Sequence, residues 1–139
     1  MSLSSAGNEN SFESTWSICM SKELFYPLSA GSIHKVRPDL MGTVMEGDDV
    51  TLVRWEIPAS RLPTPLHAHQ HHEQFTTVIS GTIETTVGDQ VLTMNPGDTC
   101  RIPKGIAHGS TRALGCSMAV LIDVFSPPRQ DYVAAAKSV

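Results

Sequence analysis

Residues 75–95 read "FTTVISGTIETTVGDQVLTMN", and the punctuation of this stretch decides the fold. Three runs rich in Val, Ile and Thr are broken by Gly81 and by Gly88-Asp89, where glycine suits the first central position of a type II′ turn. Upstream, "MGTVME", "GDD" and "VTLVRWEI" repeat the hairpin spacing, and a Pro-containing stretch then leads to His67. Downstream, "TCRIP" and "CSMAVLIDVF" add further strands. Only "DYVAAAKSV" at the end, with its three alanines, reads as helix. Many short strands in one small chain predict an all-β antiparallel sandwich or barrel.

A chain of 139 residues with 40% hydrophobic content can bury one core and hardly two. One domain is expected, with a barrel over residues 41–132, an N-terminal extension over 1–40 and a tail over 133–139. "MSLSSAGNEN" is small and polar and is assigned no structure, while "FYPLSAGSIHKVRPDL" reads as an extended lead-in. Trp16, Phe25 and Tyr26 in the extension need cover, which predicts an edge strand or a partner contact and, with it, a homodimer. The formal charge of −4 is spread along the chain, so nucleic acid is not an expected partner. No apolar run approaches the roughly 20 residues that span a bilayer, and the start has no charged region followed by an apolar one. A soluble cytoplasmic protein with no membrane partner is expected. Cys19, Cys100 and Cys116 are odd in number and far apart, so they read as reduced thiols.

"LHAHQHHEQF", residues 66–75, holds four of the six histidines. On a β scaffold side chains two apart share a face, which makes His67 and His69 a pair; His108, in "IPKGIAHGS", is the candidate third imidazole. A merely solvated histidine-rich turn is the competing reading. In "MAVLIDVF" a single carboxylate interrupts an apolar strand, and burial of an unpaired carboxylate is costly. Asp123 should therefore face a polar cavity, a cation or a partner. Alternation puts Phe125 on the same face, where it is core by default, along with Val53, Trp55, Ile57 and Val78. Pro127 and Pro128 stiffen the exit from the strand. Arg129 could then swing over the barrel mouth as a planar fork for a carboxylate, or pair with Asp123 at the rim.

Two motifs carry a resemblance to the cupin superfamily. Cupins show G-x5-H-x-H-x3-4-E-x6-G and, after a short spacer, G-x5-P-x-G-x2-H-x3-N. "GDTCRIPKGIAHGSTR" supplies Gly97, Pro103, Gly105 and His108 at the second motif's spacing, with Arg112 in place of the final Asn. The first motif gives His67, His69 and Gly81, with Arg61 in place of its leading Gly. Its acidic position falls on Gln74, which satisfies both offsets, whereas Glu73 leaves one residue too many before Gly81. The resemblance implies a double-stranded β-helix (jelly-roll) barrel with a short C-terminal helix. It also implies one divalent transition metal ion (Zn, Ni, Fe or Mn) held by His67, His69, Gln74 and His108. Glu73 should then point away from the ion. Three imidazoles and an amide leave the full dipositive charge on such an ion, so it should attract anions. His71 and His72 are left as loop residues, and His34 has no role.

"LVRWEIPA", "HHEQ" and the tail "DVFSPPRQDY" sharpen the resemblance to the pectin-degradation (KdgF-type) cupins, small single-domain proteins. The resemblance implies ring opening of 4,5-unsaturated uronates released by pectin and alginate lyases. Asp123, Phe125 and Arg129 carry over as the catalytic set, and the ligand is a small sugar acid. Two other classes share the ligand pattern: an iron-dependent dioxygenase, and a sugar-acid binding module without catalysis.

Overall fold

The computed structural model describes residues 23–138; Trp16, Cys19 and the first ten residues lie outside them. Among the described residues nine strands form: β1 (His34–Arg37), β2 (Leu40–Glu46), β3 (Thr51–Ile57), β4 (Glu73–Ser80), β5 (Thr82–Val87), β6 (Gln90–Met94), β7 (Thr99–Ile102), β8 (His108–Leu114) and β9 (Ala119–Ser126). A helix follows β9, α1 (Gln130–Lys137), and a 3-10 turn (Ala30–Ser32) comes before β1. Six strands make one sheet in the order β1-β2-β3-β9-β4-β7, and three make the other in the order β6-β5-β8. Every pairing is antiparallel. This is the jelly-roll barrel with a short C-terminal helix that the strand spacing and motifs predict.

Strict alternation in the sequence builds the core. Along β3 the residues Thr51, Val53, Trp55 and Ile57 point inward while Leu52, Arg54 and Glu56 point outward. Gly88, with φ +60, turns the β5–β6 hairpin as expected. Val53, Trp55, Ile57 and Val78 are between 0% and 3% exposed, in agreement with their reading as core. Strand register stacks the interior in layers. Trp55, Leu121 and Val78 lie side by side in one layer; Val53, Asp123 and Thr76 form the next; Thr51, Phe125 and Gln74 form a third. The interior thus turns polar along β9 and the two strands that flank it, at one end of the barrel.

Three particulars differ from the sequence expectation. The sheet begins at His34, ahead of residue 41: "HKVR" folds back on β2 through Pro38-Asp39 and is the edge strand expected of the N-terminal extension, and the helix crosses the boundary placed between residues 132 and 133. His67 and His69 lie on no regular strand: Pro63 and Pro65 lack the N–H that a ladder needs, and only an isolated bridge joins His67 to His108. Phe25, expected to find cover, is 76% exposed, whereas the Tyr26 hydroxyl donates to the backbone carbonyl of Glu46 at 3.2 Å.

Candidate functional site

The segment before β4 is strapped along β8. Backbone bonds run from Ser110 N to Thr64 O (2.8 Å), His67 N to His108 O (2.8 Å) and His108 N to His67 O (2.8 Å). Gly105 N donates to His69 O at 2.8 Å, which holds the far end of the strap. Close approach needs a glycine at 109: its φ is +124, and a Cβ there would sit 2.5 Å from Pro65 O. These bonds bring three rings together. The His67 centroid is 4.9 Å from that of His69 and 4.4 Å from that of His108, and ring nitrogens of all three lie within 4.8 Å of one another.

The neighbours of each ring set its tautomer. His67 Nδ1 lies 2.9 Å from Pro65 O, and His108 Nδ1 lies 2.9 Å from Ile106 O. A carbonyl can only accept, so Nδ1 carries the proton in both rings and Nε2 presents its lone pair. His108 Nε2 is buried and has no hydrogen-bond partner. Burial, then the charge of Arg129 and the neighbouring imidazoles, pushes His69 down to about 3. Burial also lowers His108, against the opposing bond to Ile106 O. Both rings are neutral at physiological pH, the form that ligates metals.

Gln74 enters from β4, 6% exposed. Its amide Nε2 donates to Thr76 Oγ1 at 3.0 Å, and that hydroxyl donates onward to Asp123 Oδ1 at 2.5 Å. Trp55 Nε1 donates to Asp123 Oδ2 at 2.8 Å. The chain runs in one direction, because Asp123 can only accept while ionised. Gln74 Oε1 is thereby turned away from Thr76, and it too is buried without a partner. Two unpartnered buried lone pairs in one small cavity are a costly arrangement unless a cation meets them. Gln74, His67, His69 and His108 all line this cavity of about 60 Å³. Glu73, the adjacent residue, is on the opposite face, where its Oε1 accepts from Arg101 Nε at 2.6 Å. His72 sits outside and contacts Pro127 O at 2.7 Å through Nδ1, and His71 is exposed.

Asp123 is buried in the polar layer beneath Gln74. Burial raises its carboxyl to about 6, although the bonds from Thr76 and Trp55 hold it back. Arg129 does not pair with it. Instead Arg129 Nε and Nη2 clasp both oxygens of Asp131, at 2.9 and 2.7 Å, while Nη1 lies 3.4 Å from both ring nitrogens of His69. The guanidinium stacks 3.9 Å over the Tyr132 ring and 5.1 Å over Phe125. Phe125 is only 2% exposed, with His69 and Tyr132 packed edge-on against it at 5.9 and 5.6 Å. It is a floor under His69 and Arg129, in keeping with its reading as core by default. Above lies a wider outer cavity of about 540 Å³, lined among others by Arg37, His67, His69, Arg129 and Tyr132. Sequence reasoning missed Thr76, Asp131, Tyr132 and Arg37. Thr76 could have been found from its place two residues after Gln74 on one strand face.

Residues 53–125 match the cupin domain family. Over 86 residues the chain is 31% identical to the pectin degradation protein KdgF of Dickeya dadantii (strain 3937), covering 62% of this chain and 76% of that one. The chain is a cupin of the KdgF type. KdgF from Halomonas sp. superposes on this cupin with a TM-score of 0.63 and 27% identity, over 71% of this chain and 90% of that one. An RmlC-like cupin from Shewanella frigidimarina NCIMB 400 gives a TM-score of 0.69 over 79% and 96% of the two chains; at 23% identity this is likeness of fold. The motif-based resemblance to KdgF-type cupins therefore holds. Among the described residues no helix is long and apolar enough to cross a membrane.

Proposed function

We propose that this cupin opens the ring of small 4,5-unsaturated uronates of the kind released by pectin and alginate lyases. In this reading His67, His69, Gln74 and His108 hold one divalent ion of the Zn, Ni, Fe or Mn class. The observation that carries it is the pair of buried, unpartnered lone pairs on Gln74 Oε1 and His108 Nε2, aimed into a cavity shared with His67 and His69. Likeness to two KdgF proteins, one of them described as a pectin degradation protein, supports the substrate class. Such an ion, when bound, supplies Lewis acidity toward substrate oxygens.

The substrate is a cyclic hemiacetal with a 4,5 double bond beside a carboxylate. Loss of the anomeric hydroxyl proton lets the bond from carbon 1 to the ring oxygen break, and the ring oxygen leaves as an enolate. One proton then returns at carbon 4, giving an aldehyde and a 5-keto acid with no net change in composition. Asp123 exchanges these protons through the Thr76 hydroxyl, poised by a carboxyl that titrates at about 6. Asp131 takes one edge of the Arg129 fork, and the edge beside His69 remains to meet a substrate oxygen. Phe125 and Tyr132 hold that edge in place.

The test is decay of the unsaturated uronate's ultraviolet absorbance, followed with and without air, against the spontaneous rate. Oxygen-independent acceleration that disappears in His67→Ala/His108→Ala, together with bound metal, is expected. No acceleration with any of the four metals would reject ring opening, and obligatory oxygen uptake would replace it with a dioxygenase. We also propose a cytoplasmic homodimer in which Leu24 and Phe25, 82% and 76% exposed in the single chain, find cover; sedimentation as a 15.0 kDa monomer would reject the dimer.

A further inference from the structure

Arg37 belongs to β1, outside the segment that matches the cupin family. Lys35 pairs with Met41 and Arg37 with Leu40, so the register slips by one residue between them. That bulge re-aims the side chain. Lys35 stays exposed on the outer surface, whereas the adjacent residues Val36 and Arg37 both line the outer cavity. Arg37 reaches further, because it also lines the inner cavity that holds His67, His69, Gln74 and His108. Its charge is felt by the Tyr132 phenol, which burial raises and the two arginines Arg129 and Arg37 pull down.

The two arginines at this mouth differ in their electrostatic state. Arg129 is held edge-on by both oxygens of Asp131, so its charge is largely compensated. Among the described residues no acid forms an ion pair with Arg37. A partly buried guanidinium with no counter-ion is itself unfavourable and is relieved by a bound anion. Its planar fork matches a carboxylate. We infer that Arg37 selects acid sugars over neutral ones at this site by holding the substrate carboxylate at the cavity mouth, while the Arg129–Asp131 pair positions the sugar. The substrate class rests on the uronate reading given above; the recognition of a carboxylate does not.

The experiment is calorimetric titration of the full metal-bearing chain with galacturonate and with its methyl ester. The unmodified protein is expected to bind the acid about tenfold or more tighter than the ester. Arg37→Gln should bring the acid down to the level of the ester while leaving metal content and ester binding unchanged, and Arg37→Lys should restore part of the difference. For the unsaturated uronate, Arg37→Gln should raise KM with little change in kcat. The inference is overturned if the unmodified protein shows no preference for the acid. It is equally overturned if Arg37→Gln keeps that preference, or if the preference is lost only in Arg129→Gln. Loss of acid preference in Arg37→Gln from a protein that never accelerates ring opening would leave Arg37 in its role and remove the ring-opening reading alone.

Discussion

The Thr76 hydroxyl donates to Asp123 Oδ1 at 2.5 Å across the β4–β9 pair, and its own oxygen, Thr76 Oγ1, accepts from Gln74 Nε2 at 3.0 Å. One hydroxyl therefore decides which end of Gln74 faces the histidines. Were Thr76 to turn its proton toward Gln74, the glutamine would present Nε2 to the cavity, where a donor is useless to a cation. Asp123 sets this direction, since an ionised carboxylate leaves Thr76 no other way to point.

Thr76→Val keeps the shape of the side chain and removes this hinge. Gln74 Nε2 and Asp123 Oδ1 each lose a buried partner, so stability should fall by about 2–4 kcal/mol. Metal affinity should fall as well, because Gln74 is free to flip. Urea unfolding and chelator competition would measure the two effects, and Thr76→Ser should recover most of both. A Val variant with unchanged metal affinity would show that Gln74 is oriented by something else.

Asp123→Asn isolates the effect of pH. The folded carboxyl titrates at about 6, above the ordinary 3.8, because burial disfavours its charge. Between these values the folded chain keeps a proton that the unfolded chain has lost. The stability this gives is fully present below about pH 4 and is lost as pH rises through 6, an amount of about 3 kcal/mol. Relative to the Asn variant, the unmodified protein should weaken steadily from pH 4 to pH 7, as read from urea midpoints. The Asn variant should keep fold and metal yet lose accelerated ring opening. A stability gap independent of pH would remove the shifted carboxyl from the account.

Gln74→Glu should tighten metal and weaken the empty protein. A glutamate cannot donate to Thr76, and it places a second carboxylate near Asp123, so the metal-free form should lose about 1–3 kcal/mol. A bound ion would gain a charged ligand, with affinity rising about tenfold or more. Ring opening should slow, because the ion would polarise oxygen less. Metal-buffered titration and the absorbance assay check both directions, and weaker metal binding would argue against Gln74 as a ligand.

Glu73→Ala should leave metal content unchanged, since its carboxylate lies on the outer face against Arg101. Stability should change by less than about 1 kcal/mol, as expected for an exposed ion pair. Elemental analysis and thermal unfolding suffice to check it. Loss of metal in this variant would reverse the assignment between Glu73 and Gln74.

Strict alternation makes β3 readable, and the same periodicity assigns Gln74 and Glu73 to opposite faces of β4. Asp123 stood out because one carboxylate breaks an apolar run, and the structure answers it with Trp55 and Thr76. Other features had no periodic signal. The β1 bulge that turns Arg37 inward depends on how one strand end meets its neighbour, and bulged and regular strands can share a pattern. The Asp131 clasp on Arg129 forms only once the chain turns into the helix, so strand reasoning could not anticipate it. His67 and His69 were placed correctly as a pair for an incomplete reason: the strap onto β8 converges them, rather than a strand of their own.

Strand β9 lies between β3 and β4, although it is the last strand to leave the ribosome. All three clustered histidines have been synthesised by residue 108, yet Phe125, the floor under His69, and Asp123, the carboxylate of the polar layer, come only with β9. Until those residues arrive, the facing edges of β3 and β4 have nothing to pair with, and joining Trp55 to Asp123 must close a loop of 68 residues. The nascent chain can thus expose imidazoles and open strand edges together, while the cavity forms only in a late, long-range step. Folding of this barrel should be limited by the docking of one strand, and chains cut short before residue 119 should aggregate rather than bind metal in a shaped site.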